Sequence, residues 1–196
     1  ILATLTLSAP ALADSRLSPA ATGSYTLDKS HAAIIFQINH LGYSSYVGRF
    51  NNFDAKLQLD AADPRRSMVE ATIVPTSVDT NNPELQDKLH GEYYFNVAKF
   101  PEIKFSSRRI TLVNANSGTI TGDLTMLGIT KPVVLQVTLN GAGMNPYASV
   151  YTVGFTANTV IKRSEWGMKT LVPQVGDEVK VTINAEFHRE QSPEGK

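Results

Sequence analysis

Residues 31–42 read "HAAIIFQINHLG", an apolar run with a histidine at one end and another near the other. Successive side chains of a strand point to opposite faces. Ile34, Phe36, Ile38 and His40 therefore share one face, while His31, Ala33, Ile35, Gln37 and Asn39 share the other. On a continuous strand the two histidines look in opposite directions and cannot chelate one ion. The stretch reads as one wall of a structure with an oily inner surface, not as a metal-binding ribbon.

The same alternation recurs along the chain. It appears in "SYTLDK" (24–29), "YVGRFNNFDAKLQLD" (46–60), "SMVEATIVP" (67–75), "EIKFSSRRITLV" (102–113) and "GTITGDLTML" (118–127). It continues in "KPVVLQVTLNG" (131–141), "ASVYTVGFTANTVI" (148–161) and "DEVKVTINAEFHRE" (177–190). Separators such as "DPRR", "NANSG", "GITKP" and "GAGMNP" are rich in tight-turn residues. With 24–40 taken as one kinked strand, about eight strands result, and short connections make neighbours antiparallel. One face of several is strongly apolar: Phe53, Ala55, Leu57 and Leu59; Val133, Leu135, Val137 and Leu139; Val179, Val181 and Ile183. The opposite face carries Asp54, Lys56, Gln58, Gln136, Thr138, Lys180 and Thr182. A sheet with one oily and one wet face must bury the oily one, against a second sheet or by closing on itself. Strands of about eleven residues are long for a domain of this size. The fold class expected is all-β: an elongated antiparallel barrel, which at about eight strands is either filled by side chains or holds one small ligand.

One stretch breaks the pattern. In "TNNPELQDKLHGEYYF" (80–95), Asn82 is placed as an N-cap, Pro83 opens a helix, and Leu85 and Leu89 lie on one face. This short helix with an aromatic tail falls between the third and fourth strands. The pattern leaves open whether it is a lid on a cavity or a cover on the end of a sheet.

The N-terminal "ILATLTLSAPALADS" combines an apolar run, Pro10 and an Ala11-Leu12-Ala13 motif ahead of Asp14. This is the pattern of the hydrophobic region and cleavage site of a secretory signal peptide, and it is shorter than the ~20 apolar residues of a membrane span. Residues 1–13 are read as a signal-peptide remnant, and 14–23 as a flexible segment. Residues 24–190 form the barrel, and 191–196 a flexible tail. The exported chain of about 183 residues is one domain's worth. It has no cysteine and equal numbers of acidic and basic side chains. No disulfide framework or thiolate chemistry is available, and no global field favours nucleic acid.

Catalytic and metal signatures are weak. None of His31, His40, His90 and His188 stands at metal-ligand spacing, no nucleophile elbow or phosphate loop appears, and carboxylate pairs such as Asp87 and Glu92 read as solvated charge. His40 is expected to meet backbone or a ligand head group, and His188 to lie at the surface. "IKRSEWGM" (161–168) admits two readings. In one, Trp166 plugs a barrel end beside an Arg163–Glu165 surface pair. In the other, Arg163 meets an anionic head group while Trp166 and Met168 touch its tail. Arg108 and Arg109 are expected on opposite faces, with Arg108 inward at the barrel mouth.

The chain resembles the YceI-like family of bacterial periplasmic polyisoprenoid-binding proteins over residues 24–190. The resemblance rests on "YTLDKSHAAIIFQINHLGYSSYVGRFNNFDAKLQLD", "ELQDKLHGEYYFNVAKFPEIKF", "GTITGDLTMLGITKPVVL", "IKRSEWGM" and "VGDEVKVTINAEF", in that order. Where the family has Asp-Phe-Phe-Asp, this chain has Tyr93, Tyr94, Phe95 and Asn96, so both acids are missing and the aromatic pair is kept in kind. The resemblance implies a lipocalin-like eight-stranded barrel in the periplasm, holding a long isoprenoid chain such as a ubiquinone-like or prenyl phosphate tail. It implies binding, transport or storage, with no catalytic residue, no metal and no cofactor beyond that lipid. The lumen is expected to be lined by Ile34, Phe36, Ile38, Phe53, Leu57, Tyr94, Phe95, Phe105, Leu124, Leu135, Val137, Trp166 and Met168, with His40, Arg108 and Arg163 as polar groups toward the head. Transient contact with inner-membrane quinone proteins and a homodimer are further expectations. The alternatives are a quinone-linked enzyme at the barrel mouth and a filled barrel acting through its surface in stress response.

Overall fold

The computed structural model describes residues 17–191. The signal-peptide reading of residues 1–13 and the tail beyond Gln191 lie outside the described residues. Ten strands and one helix follow in the order β1 (Gly23–His40), β2 (Ser44–Phe50), β3 (Phe53–Leu59), β4 (Met68–Ile73), β5 (Val78–Asp79), α1 (Pro83–His90), β6 (Ile103–Leu112), β7 (Ser117–Met126), β8 (Ile129–Asn145), β9 (Val150–Lys162) and β10 (Val175–Arg189).

Register reduces the ten to eight. The second half of β1 pairs with β2 and its first four residues pair with β3, so β2 and β3 are halves of one strand broken at Asn51-Asn52. β4 and β5 are related in the same way, β4 pairing with β3 and β5 with β2. The order continues β4, β6, β7, β8, β9, β10, each antiparallel to its neighbour, and β10 returns to β1. The sheet closes into an eight-stranded antiparallel barrel, which leaves no continuous free edge. Two hairpin turns are made by Leu-Gly pairs: Leu41-Gly42 (φ 56° and 76°) joins β1 to β2, and Leu127-Gly128 (φ 53° and 74°) joins β7 to β8. Both residues of each turn are left-handed, the arrangement whose twist matches the flanking strands.

Three irregularities decide which residues face inward. β1 loses register against β10 between Asp28 and Ala33, β6 against β7 between Ser107 and Arg109, and β8 against β9 between Leu139 and Gly141. Each shifts the inward set from one parity to the other. In β6 the consequence corrects an expectation. Ile103 and Phe105 point inward, and after the extra residue Ile110 and Leu112 do so. Arg108 and Arg109 are both exposed. Arg108 pairs with Asp123 on the outer surface at 2.5 Å and takes no part in the lumen. The Ser107 hydroxyl accepts a hydrogen bond from the Val69 N–H (2.9 Å) at this bulge, giving a β4 donor a partner where the β4–β6 ladder has ended.

The barrel ends are closed differently. At the end where β1 finishes and β10 begins, α1, residues 91–100 and the turn Arg163–Trp166 fold across the opening. The Asn82 side chain caps α1 by accepting from the Leu85 N–H (3.2 Å), as its position predicts. The Tyr46 hydroxyl donates to the Thr80 carbonyl (3.1 Å), and the Thr170 hydroxyl to that of Tyr93 (3.1 Å). These bonds tie the covering segments to the barrel and to each other. At the opposite end residues 17–22 are not the loose segment expected from composition. Ala21 is fully buried in a 3-10 turn, the Tyr25 hydroxyl donates to the Ala21 carbonyl (2.6 Å), and Arg189 Nη1 donates to that of Ala20 (2.7 Å).

Candidate functional site

The interior is not filled by its own side chains. A cavity of about 520 Å³ runs from Leu17, Pro64 and Asn116 at one end to His40, Tyr46 and Leu171 at the other, within the ~300–1,000 Å³ usual for ligand pockets. The filled-barrel alternative is thereby corrected. The parity of "HAAIIFQINHLG" gives one wall as read: Ile34, Phe36, Ile38 and His40 all line the cavity. Phe53, Leu57, Phe105, Leu124, Leu135, Val137, Tyr94, Phe95 and Met168 line it too. Leu85 and Leu89 of α1 complete one end, so the helix is a lid over a cavity.

Two aromatic rings press closely on glycines of the neighbouring strand. A Cβ on Gly48 would sit 2.3 Å from Phe36 Cζ, and one on Gly122 2.4 Å from Phe105 Cζ. The missing side chains are what give these rings their places against the wall. From Phe36 the aromatic surface continues to Phe50 (5.6 Å between centroids) and on to Phe95 (5.6 Å), linking the wall to the lid.

The ionisable lining groups His40, Tyr46, Tyr94 and Arg163 lie toward the lid, while Ser67, Asn116, Ser117 and Thr119 line the opposite end. Arg163 lines the cavity and is buried, which corrects its reading as half of a surface pair with Glu165. Its Nε donates to the Gly176 carbonyl (2.9 Å), Nη1 to that of Met168 (3.2 Å) and Nη2 to that of Val175 (3.0 Å). The guanidinium thus organises the start of β10 and the loop before it. Burial pulls its pKa below the usual arginine value, and Asp177 and Tyr94 oppose that shift. Asp177 in turn accepts from the Ser164 N–H (2.9 Å) and hydroxyl (2.7 Å). Desolvation pushes its pKa up, but these hydrogen bonds and the Arg163 charge outweigh it and hold the carboxyl below its ordinary value. Trp166 is buried, with its indole N–H donating to the Leu124 carbonyl (3.1 Å). It is not among the residues lining the cavity, so its expected contact with the tail is corrected, while Met168 does line it.

Sequence reasoning left out much of the lining contributed by β9 and β10. Phe155, Ala157, Thr159 and Ile161, with Val179, Val181, Ile183 and Phe187, face the cavity. The β10 residues were legible as an apolar face. In β9 the inward set alternates with Thr156, Asn158 and Val160, a mixed pattern that hides it.

A closed antiparallel barrel around an elongated apolar space belongs to the class of small barrels able to enclose one ligand. The chain belongs to the YceI-like domain family, whose model matches residues 25–187. It is 38% identical over 169 residues to a UPF0312 protein of Yersinia enterocolitica, covering 85% of this chain and 87% of that one. A YceI protein of Campylobacter jejuni superimposes with a TM-score of 0.72 at 28% identity, covering 85% of this chain and 98% of the other. A polyisoprenoid-binding domain from Saccharophagus degradans, at 13% identity, shares the fold with a TM-score of 0.63 over 85% of this chain and 98% of its own.

Proposed function

We propose that the protein is an exported periplasmic carrier that holds a long isoprenoid chain, a quinone or prenyl phosphate tail, along the barrel for transport, storage or isoprenoid metabolism. The observation that carries this reading is the apolar cavity running the length of the barrel with its ionisable side chains, His40, Tyr46, Tyr94 and Arg163, toward the lid. The polyisoprenoid-binding domain that shares this fold supports the same ligand class. The tail lies against Phe36, Phe105, Leu135 and the inward residues of β9 and β10. The head group lies toward His40, Tyr94 and Arg163, where two of the five guanidinium N–H donors remain beyond the three given to backbone carbonyls.

Energetics favour a long tail. Each buried methylene contributes ~0.8 kcal/mol, so ten tail carbons supply ~8 kcal/mol, and association costs at least ~4 kcal/mol. Short tails bind weakly and long ones stay bound. Binding rather than turnover fits the site. Of the three mouth groups that a catalytic alternative needs, Arg108 is outside the barrel and Arg163 is held by three backbone carbonyls. The test is a binding series with one head group and tails of increasing length. Affinity is expected to rise with tail length until the lumen is full. Affinity independent of tail length, or no binding at any length, would overturn the reading.

A further inference from the structure

The outer face of the barrel carries a second cluster, unrelated to the lumen. Asp28 and Glu186 are direct partners across the β1–β10 seam, and like charges placed opposite each other repel. The neighbouring cations point elsewhere: Lys29 pairs with Asp54 (2.8 Å), and Arg189 binds the Ala20 carbonyl. Two imidazoles fill the gap instead. His31 Nδ1 lies 2.7 Å from Asp28 Oδ2, and His188 Nε2 lies 3.2 Å from the same oxygen. One ligand atom each from Asp28, His31 and Glu186 falls within 4.8 Å of the others. Despite its approach to Asp28, His188 Nε2 is buried and makes no hydrogen bond of good geometry.

We propose that Asp28, His31 and Glu186, with His188 beside them, form a divalent transition-metal site that clamps the strands closing the barrel. Imidazole nitrogen with carboxylate oxygen is a donor set suited to Zn²⁺, which takes these ligands at ~2.0–2.2 Å. The supporting shell is in place. Asp28 Oδ1 accepts from the Ser30 N–H (3.0 Å) and hydroxyl (2.6 Å), which turns Oδ2 toward His31, the kind of outer partner that orients metal-binding carboxylates. Room is available over Glu186, because its β9 partner is Gly154, where an added Cβ would meet nothing closer than 3.9 Å. The cation takes the place of the proton shared by His31 and Asp28, and that proton goes to solvent or to the other ring nitrogen. Tetrahedral bonds of this length put ligand atoms ~3.3 Å apart, so the His31–Asp28 contact opens by roughly half an ångström on binding. The metal bridges β1 at its register break to β10, two strands that meet only because the barrel closes.

The cluster lies outside the cavity, so this inference stands or falls independently of the proposed ligand. The test uses the full exported chain, stripped with a chelator and titrated with Zn²⁺ against a chromophoric indicator. His31→Ala and Glu186→Gln are titrated alongside, and His90→Ala serves as the control. One saturable site per chain is expected. It should weaken by roughly ten-fold or more in either variant, be unchanged in His90→Ala, and raise the melting temperature of the parent protein but not of His31→Ala. Circular dichroism of the exposed-site variants separates lost binding from lost fold. No saturable binding, or binding equal in His31→Ala and the parent, would overturn the proposal.

Discussion

Gly48→Ala tests whether the tube is as wide as the ligand needs. The added methyl would sit 2.3 Å from Phe36 Cζ and 2.8 and 2.9 Å from its two Cε atoms. Carbon pairs prefer ~3.5–4.0 Å, so the ring must retreat by roughly 1.2–1.7 Å. The wall is on one side of it and the cavity on the other, so it moves inward. Because open space receives the ring, the stability cost falls at the low end of the ~1–3 kcal/mol usual for overpacking. The ligand carries the larger loss. Displacing one or two tail methylenes at ~0.8 kcal/mol each weakens binding by about 4- to 15-fold. The assay is a fluorescence titration with an isoprenoid quinone, read on Trp166, the single tryptophan. Phe36→Leu in the Gly48→Ala background shortens the displaced side chain and should recover most of the loss, a coupling of about 0.5–3 kcal/mol. Wild-type affinity for long tails in Gly48→Ala, or strictly additive effects in the double variant, would refute the assignment of Phe36 to the lumen wall.

Further predictions follow from the same geometry. Gly122→Ala looks equivalent but is expected to be far more damaging, because its Cβ would lie 2.6 Å from the Ser106 carbonyl as well as 2.4 Å from Phe105 and the backbone cannot step aside. A melting temperature close to that of Gly48→Ala would contradict this. Arg163→Met strips three carbonyls of their donor and should lower stability by ~3 kcal/mol or more, about 6–12 °C in melting temperature; a drop within about 2 °C would show that water replaces it. Arg108→Ala removes an exposed pair worth at most ~1 kcal/mol, and should leave tail binding unchanged in the same titration. Burial raises the Tyr25 hydroxyl to a pKa of about 12 from 10.0. Its contribution to stability is therefore constant below pH 10 and is lost as pH rises from 10 toward 12, where the unfolded chain ionises and the folded one does not. Alkaline melting curves should show this fall in the parent and a smaller one in Tyr25→Phe.

Most of the tube could be read from alternation, and the failures share one cause. Parity is trustworthy only between bulges. In β6 the inward apolar residues are Ile103 and Phe105, then Ile110 and Leu112; the odd spacing from 105 to 110 was itself the sign of an inserted residue. That insertion leaves Arg108 at the bulge and outside the barrel. In β1 the same switch, from Tyr25 and Leu27 to Ile34 and Phe36, was visible as a kink. Local chemistry was legible where it was local, as in the Asn82-Pro83 start of α1. Arg163 was misread because an arginine's burial depends on carbonyls at Met168, Val175 and Gly176, whose convergence is tertiary. The Asp28–His31–Glu186–His188 cluster could not be seen at all. It exists only because the first and last strands meet.

The occupant of the barrel decides the proposed function. The protein, purified without detergent and extracted with organic solvent, should yield an isoprenoid lipid in near-stoichiometric amount by mass spectrometry, with less from Gly48→Ala. An empty extract that stays empty after incubation with quinones of several tail lengths would contradict the account.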